Sequence, residues 1–175
     1  MPANHKISSG ASIRSETSGD AKAVDALIEA AFGAAHALRT VRHLRLCSPE
    51  AALCFVCEYD GLVIGSIRYW PIQVAGRRQL LLGPLAVDPT HKGAGYGKAL
   101  VSHSLEQAAS LGYDFVLISG EADYYPRFGF EPADSAIFLW PGFIEPERLQ
   151  IKWLHDNKVS LQKPQAILPI LPQIV

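Results

Sequence analysis

The sequence predicts an α/β (α+β) domain built on a mixed sheet, and three stretches carry that prediction. AALCFVCEY and LVIGSIRYWPIQV are strand-like runs joined by Asp60-Gly61, a pair that tolerates the positive φ of a tight hairpin. PTHKGAGYGKAL, residues 89 to 100, sets glycines at 93, 95 and 97 between an apolar run and a helical one. YDFVLIS is apolar almost without interruption, which suits a strand covered on both faces.

The remaining elements follow in order. Residues 1 to 10 are small and polar and read as a flexible arm, leaving 11 to 175 as one domain. SIRSET makes a short strand, and Asp20 is placed to cap a helix in which Val24, Leu27, Ile28 and Ala31 recur at helical spacing to about Phe32. A second helix is expected between Ala34 and Leu46, with Leu38, Val41 and Arg42 along it. After the hairpin, AGRR turns the chain into QLLLGPLAV. Gly83-Pro84 interrupts that run, and a proline with no N–H to give the ladder marks a bulge or a parting of strands. Leu100, Val101, Leu105, Ala108 and Leu111 form the buried stripe of the next helix, stopped by Gly112. YYPRFGF makes at most a short helical turn. AIFLW and LQIKWL are further strands, and KPQAILPILPQIV is extended.

The bulk properties are those of an ordinary globular chain: 175 residues, 49% hydrophobic, 19% charged, net charge −1. That balance gives no electrostatic case for nucleic acid or an anionic membrane. Cys47, Cys54 and Cys57 form no disulfide framework and read as structural thiols of a reducing compartment. Cys54 and Cys57, both within a strand, would face opposite ways and cannot chelate together, so no metal is expected. No apolar leader or membrane-length run is seen, and the expected address is cytoplasmic.

A strand, a glycine-rich turn and a helix N-terminus together make an anion site, because the first helical amides lack internal partners. Two phosphate-binding patterns fail here. A P-loop would need glycine at Lys92 and a hydroxyl at Ala99, and the dinucleotide fingerprint needs GxGxxG where this chain has GxGxG. GPLAVDPTHKGAGYGKAL instead resembles the acyl-CoA segment of the GNAT superfamily of N-acetyltransferases, [QR]xxGx[GA] after a bulged strand and before a helix. GEADYYPRFGFEPA resembles the end of that family's fifth strand and its Tyr-x-x-x-Gly-Phe element, as found in a bacterial subgroup of predicted N-acetyltransferases. The likeness spans roughly residues 11 to 140. Lys92 departs from it, standing where the family has Gln or Arg; lysine reaches a pyrophosphate as a point charge without a fork.

The resemblance implies a mostly antiparallel sheet flanked by helices, splayed into a V-shaped cleft between the fourth and fifth strands. It implies acetyl-CoA as co-substrate and a primary amine of a small molecule or peptide as acceptor, with a homodimer left open. Leu85, Ala86 and Val87 would lend backbone groups to the pantetheine arm and thioester. The amides from Lys92 through Gly93, Ala94, Gly95, Tyr96 and Gly97 to Lys98 would hold the pyrophosphate. Tyr125, four residues before Gly129, matches the general acid, with adjacent Tyr124 as the lesser candidate, since a phenol with pKa about 10 stays protonated at neutral pH. The base is not decided by the sequence. Glu121 leads, with Asp123, Glu58, His36, His91 and a water chain as alternatives. Arg39, Arg42, Arg45 and Arg68 are candidates for holding an acidic acceptor, and Trp70, Trp140 and Trp153 for lining its pocket. A non-catalytic acyl-CoA-binding module is the alternative function.

Overall fold

A computed structural model of the chain describes residues 10–33, 40–156, 158–161 and 163–170. The run at the N-terminus folds as expected, with β1 (Ala11–Ser15) followed by α1 (Ala21–Phe32). Asp20 precedes the helix but does not cap it through its side chain. Its carboxylate instead accepts from Thr17 N (2.7 Å) and from both Nη atoms of Arg14 (2.7 and 2.8 Å), closing the turn before α1. The second helix expected between 34 and 46 is not seen where it can be judged. Residues 34–39 lie outside the described set, and Thr40–Leu44 is a 3-10 turn. Three residues per turn stack Val41 over Leu44, and both are buried.

The meander comes next: β2 (Phe55–Tyr59), β3 (Leu62–Val74) and β4 (Arg77–Val87). Asp60 and Gly61 both hold positive φ in the hairpin between β2 and β3. Ala51–Leu53, read as the start of a strand, is a 3-10 turn that drops Leu53 into the core. Cys54 therefore precedes the strand, its thiol on the Glu50 carbonyl at 3.4 Å, while Cys57 packs beneath α2. Both are free thiols whose pKa burial pushes up to about 11.

Beyond the glycines lie α2 (Tyr96–Ser110), β5 (Phe115–Ser119), the two-residue β6 (Glu131–Pro132) and β7 (Phe138–Leu139), β8 (Leu149–Trp153) and β9 (Gln165–Pro169). Leu111, assigned to the buried stripe, falls just past the helix and is 45% exposed.

The strand order is β1-β2-β3-β4-β5-β8-β6, and every neighbouring pair in it is antiparallel except β4–β5. β3 is long enough to use one edge twice, pairing β2 along its first half and β9 at Ile72 to Val74. Alternation along β4 and β5 divides the core into two faces. Leu80, Leu82, Val116 and Ile118 pack with Leu100, Val101 and Leu105 of α2. Leu81, Phe115 and Leu117 point the other way, toward Val41, Leu44 and Leu149. This is the mixed, mostly antiparallel sheet flanked by helices that the sequence predicts. No helix among the described residues is long and apolar enough to cross a membrane.

Candidate active site

The site begins with a defect in β4. Ile67 pairs with Leu85 and Tyr69 with Leu82, so Gly83 and Pro84 stand opposite the single residue Arg68. One extra residue bends the strand at that point. Before the bulge β4 is paired to β5 at Leu80–Val116 and Leu81–Leu117; after it, no pairing to β5 continues, although β5 runs on to Ser119 beside β8. Leu85, Ala86 and Val87 keep β3 on one edge and have no strand on the other among the described residues. An open edge between parted strands can accept an extended ligand as though it were a strand. Ser66, across from Ala86, keeps a buried hydroxyl with no hydrogen-bond partner.

At the end of β4 the chain is tied off by Asp88, whose carboxylate accepts from Thr90 N (2.8 Å) and Thr90 Oγ1 (2.6 Å). The 3-10 turn Pro89–His91 follows. His91 packs edge-on against Tyr59 and Tyr96, so its ring braces this turn. Gly93 and Gly95 then hold φ of +86° and +89° with nothing within 4 Å of where a Cβ would stand. Gly95 occupies the N-cap of α2. The amides of Lys92 and Ala94 are spent on Pro89 O (3.3 Å) and His91 O (3.4 Å), whereas Tyr96 to Lys98 form the first helical turn and have no intrahelical acceptor. Lys92 and Lys98 are exposed on this rim, while the Tyr96 ring is buried and can offer only backbone. Exposed glycine backbone, free helix-start amides and two ammonium groups suit a diphosphate.

The opposite wall is the turn after β5. Tyr125 opens the 3-10 turn Tyr125–Phe128 and is 7% exposed. Its ring lies so close over Gly120 that a methyl there would overlap it. Ring centroids of Tyr124, Phe130 and Phe128 lie 5.0, 5.6 and 6.3 Å away. Burial pushes the Tyr125 phenol above its usual range. Gly129, at φ +83°, ends the turn. Tyr124 reaches the other way: a methyl on Gly97 would stand 3.0 Å from its hydroxyl and 3.5 Å from Val87 Cγ2. The second tyrosine thus bridges the cleft to the start of α2, with the Arg127 guanidinium 4.9 Å from its ring. The only sequence trace of this is a glycine placed inside a helix's first turn.

The carboxylates are mostly committed. Glu121 is 72% exposed and paired to Arg148 at 2.8 Å. Asp123 is exposed, and Glu58 pairs with Arg14 at 2.9 Å. His36 and Arg39 lie outside the described residues. Arg68 is bound by both oxygens of Glu16 and is part-buried; Arg42 lies at the surface. Trp70 sits on β3 near the bulge; Trp140 and Trp153 pack against the core on the face away from α2. Among the described residues no group of three or more His, Cys, Asp or Glu is placed to hold a metal.

Residues 21–130 match the acetyltransferase (GNAT) family. The chain is 33% identical over 152 residues to the uncharacterized N-acetyltransferase YhbS of Escherichia coli K12, covering 85% of this chain and 90% of that protein. The crystal structure of Escherichia coli YhbS in complex with CoA aligns with a TM-score of 0.71 at 30% identity, over 93% of this chain and 91% of that one. A GNAT acetyltransferase from Brucella melitensis in complex with acetyl-CoA aligns at 0.63 and 28% identity, over 89% and 94%. With a family match over more than half its length and a parted β4–β5 pair beside a glycine cradle, the chain belongs to the GNAT family of acetyltransferases.

Proposed function

We propose that the chain is an acetyl-CoA-dependent N-acetyltransferase, moving an acetyl group to a primary amine of a small molecule or peptide by direct attack. The observation that carries this reading is the parting of β4 from β5 after Leu81, with the glycine cradle at one end and Tyr125 on the facing wall. The CoA and acetyl-CoA complexes of the two related structures support the choice of co-substrate.

Acetyl-CoA supplies the activated acetyl group; the chain supplies placement and one proton. Gly93, Gly95 and the amides from Tyr96 to Lys98 hold the diphosphate, aided by Lys92 and Lys98. The open edge of Leu85 to Val87 aligns the pantetheine arm and carbonyl, the part of catalysis that comes from orientation. Tyr125, kept protonated by burial, gives its proton to the departing thiolate. Glu121 is the proposed base. Its ion pair with Arg148 holds its charge on the surface, which fits proton removal through water better than direct contact with the amine.

Titration with CoA tests the reading. A ligand that binds only the folded chain raises Tm, by about 2.7 kcal/mol of added stability at a hundredfold excess over Kd. No shift at millimolar CoA sinks the proposal. The committed state of Glu121 favours one second reading, a non-catalytic acyl-CoA-binding module, which requires CoA binding without turnover of any amine.

A further inference from the structure

One guanidinium on the wall facing the cradle has no carboxylate. Arg14, Arg68, Arg77, Arg78 and Arg148 each pair with an acidic side chain at 2.5 to 3.1 Å. Arg127 is exposed and makes no such pair among the described residues; its contact is the ring of Tyr124, with the guanidinium carbon 4.9 Å from the centroid. The local turn brings the two together. Tyr124 is the N-cap and Arg127 the third residue of the 3-10 turn Tyr125–Phe128, and at three residues per turn positions i and i+3 eclipse. Pro126 fixes its own φ near the start of the turn and Gly129, at φ +83°, closes it. Tyr124 in turn crosses the cleft. Its hydroxyl stands 3.0 Å from where a methyl on Gly97 would be and has no hydrogen-bond partner among the described residues. Alanine would suit the first turn of α2 better at that position, and the glycine leaves the space the hydroxyl reaches into.

Resting on the donor half of the transferase reading above, we propose that Arg127 is a phosphate-recognition residue for CoA, a guanidinium mounted on the Tyr124 ring that meets the cofactor from the side opposite the glycine cradle. An aromatic face steadies the guanidinium plane and leaves the N–H groups at its edge for an anion. That is the chemistry the cradle lacks. Gly93, Gly95 and the helix-start amides offer single backbone donors, and Lys92 and Lys98 are point charges without a fork. Two oxygens of one phosphate can take a guanidinium in parallel hydrogen bonds, each stronger than a bond between neutral groups. The Tyr124 hydroxyl beside Gly97 adds a further donor where the two walls meet. CoA carries such oxygens at its diphosphate and at the 3′-phosphate of its ribose, and a guanidinium recognises both alike. The adjacent tyrosines then divide their roles: Tyr125 holds the proton, and Tyr124 seats the cation.

Calorimetric titration of the full chain tests the assignment, with CoA, with dephospho-CoA, which lacks the 3′-phosphate, and with phosphate-free pantetheine as a competitor of CoA. Arg127→Gln is expected to weaken CoA binding about tenfold, and Arg127→Lys by part of that, since the charge stays while the fork goes. If dephospho-CoA is weakened as much as CoA, the diphosphate is the group recognised; if it binds both chains alike, the 3′-phosphate is. Either pattern supports the site. CoA binding by Arg127→Gln within about twofold of wild type overturns it, and so does a loss that pantetheine shares, which marks a distorted cleft. Tyr124→Leu removes the seat, and in that background Arg127→Gln should cost little more; an undiminished loss there overturns the role of the ring. A wild-type chain that binds no CoA sinks this inference and the transferase reading together. CoA binding that shows the Arg127 effect, with acetylation of no amine, leaves the phosphate site standing and removes the transferase reading alone.

Discussion

On the α2 face of β4 the proposed cradle is made of backbone. Gly93 and Gly95 take positive φ with open space in place of a Cβ, and the helix-start amides follow within a few residues. On the other face, side chains from separate segments meet at the bulge: Arg45 from a turn, Trp70 from β3, and Gly83 only as the space between them. The two constructions leave different marks. A backbone site needs glycines at close spacing in one segment, because only glycine adopts those φ values cheaply. A side-chain site can draw on residues far apart in the chain, and no local pattern is then required.

This contrast predicts that lesions in the backbone cradle and in the Tyr125 side chain of the facing wall separate cofactor binding from turnover. The largest effect is expected at Tyr125, on the wall facing the cradle. Tyr125→Phe should lower kcat by about 10²-fold or more while CoA affinity stays within about twofold, read by steady-state kinetics beside calorimetry. Unchanged turnover would remove the phenol from the acid role. Because burial raises the Tyr125 phenol, the alkaline fall in kcat assigned to it should lie above the ordinary phenol value of about 10. A limb near neutrality that disappears in Tyr125→Phe would contradict that.

Next comes the cradle itself. Gly95→Val puts a branched side chain at φ +89° and is expected to weaken CoA binding by about tenfold or more, since αL strain alone is worth about 1–2 kcal/mol. If CoA binds Gly95→Val as tightly as wild type, the diphosphate lies elsewhere.

The smallest effect on activity belongs to Asp20, which lies on neither face. Its hydrogen bonds to Arg14 and Thr17 hold its carboxyl well below the usual range. A depressed folded-state pKa adds stability that is present above the unfolded value, about 3.8, and is lost as pH falls below it. Asp20→Asn should therefore cost about 1–2 kcal/mol at neutral pH and flatten the acid limb of a denaturation profile, with kcat unaltered. An acid limb as steep as wild type would show that other carboxylates dominate it.

Much of the fold is legible from period and turn chemistry. The strand LVIGSIRYWPIQV is observed over its whole length as β3, and Asp60-Gly61 makes its hairpin because both positions can hold positive φ. The helix after the glycines begins at Tyr96, where the glycine N-cap allows it. The failures have a common cause. Ala51–Leu53 and Thr40–Leu44 are short segments whose form depends on the core their apolar residues must reach, and a single 3-10 turn buries Leu53 or Leu44 as well as a strand or helix would. β6, two residues long, exists only because β8 lies beside it.

Of the proposed site, the half read as the donor's is written locally, in Gly83-Pro84, the three glycines and Tyr125-x-x-x-Gly129, because bulges, positive φ and tight turns are properties of adjacent residues. The direction each side chain takes is not. That Tyr124 reaches Gly97 while Tyr125 is buried over Gly120, that Glu121 is taken by Arg148 and Arg68 by Glu16, and that Arg45 stands against Trp70 at Gly83, all depend on segments brought together by packing. Local chemistry marks where a cofactor's phosphates would lie; only the folded chain decides how the charged side chains around that place are paired.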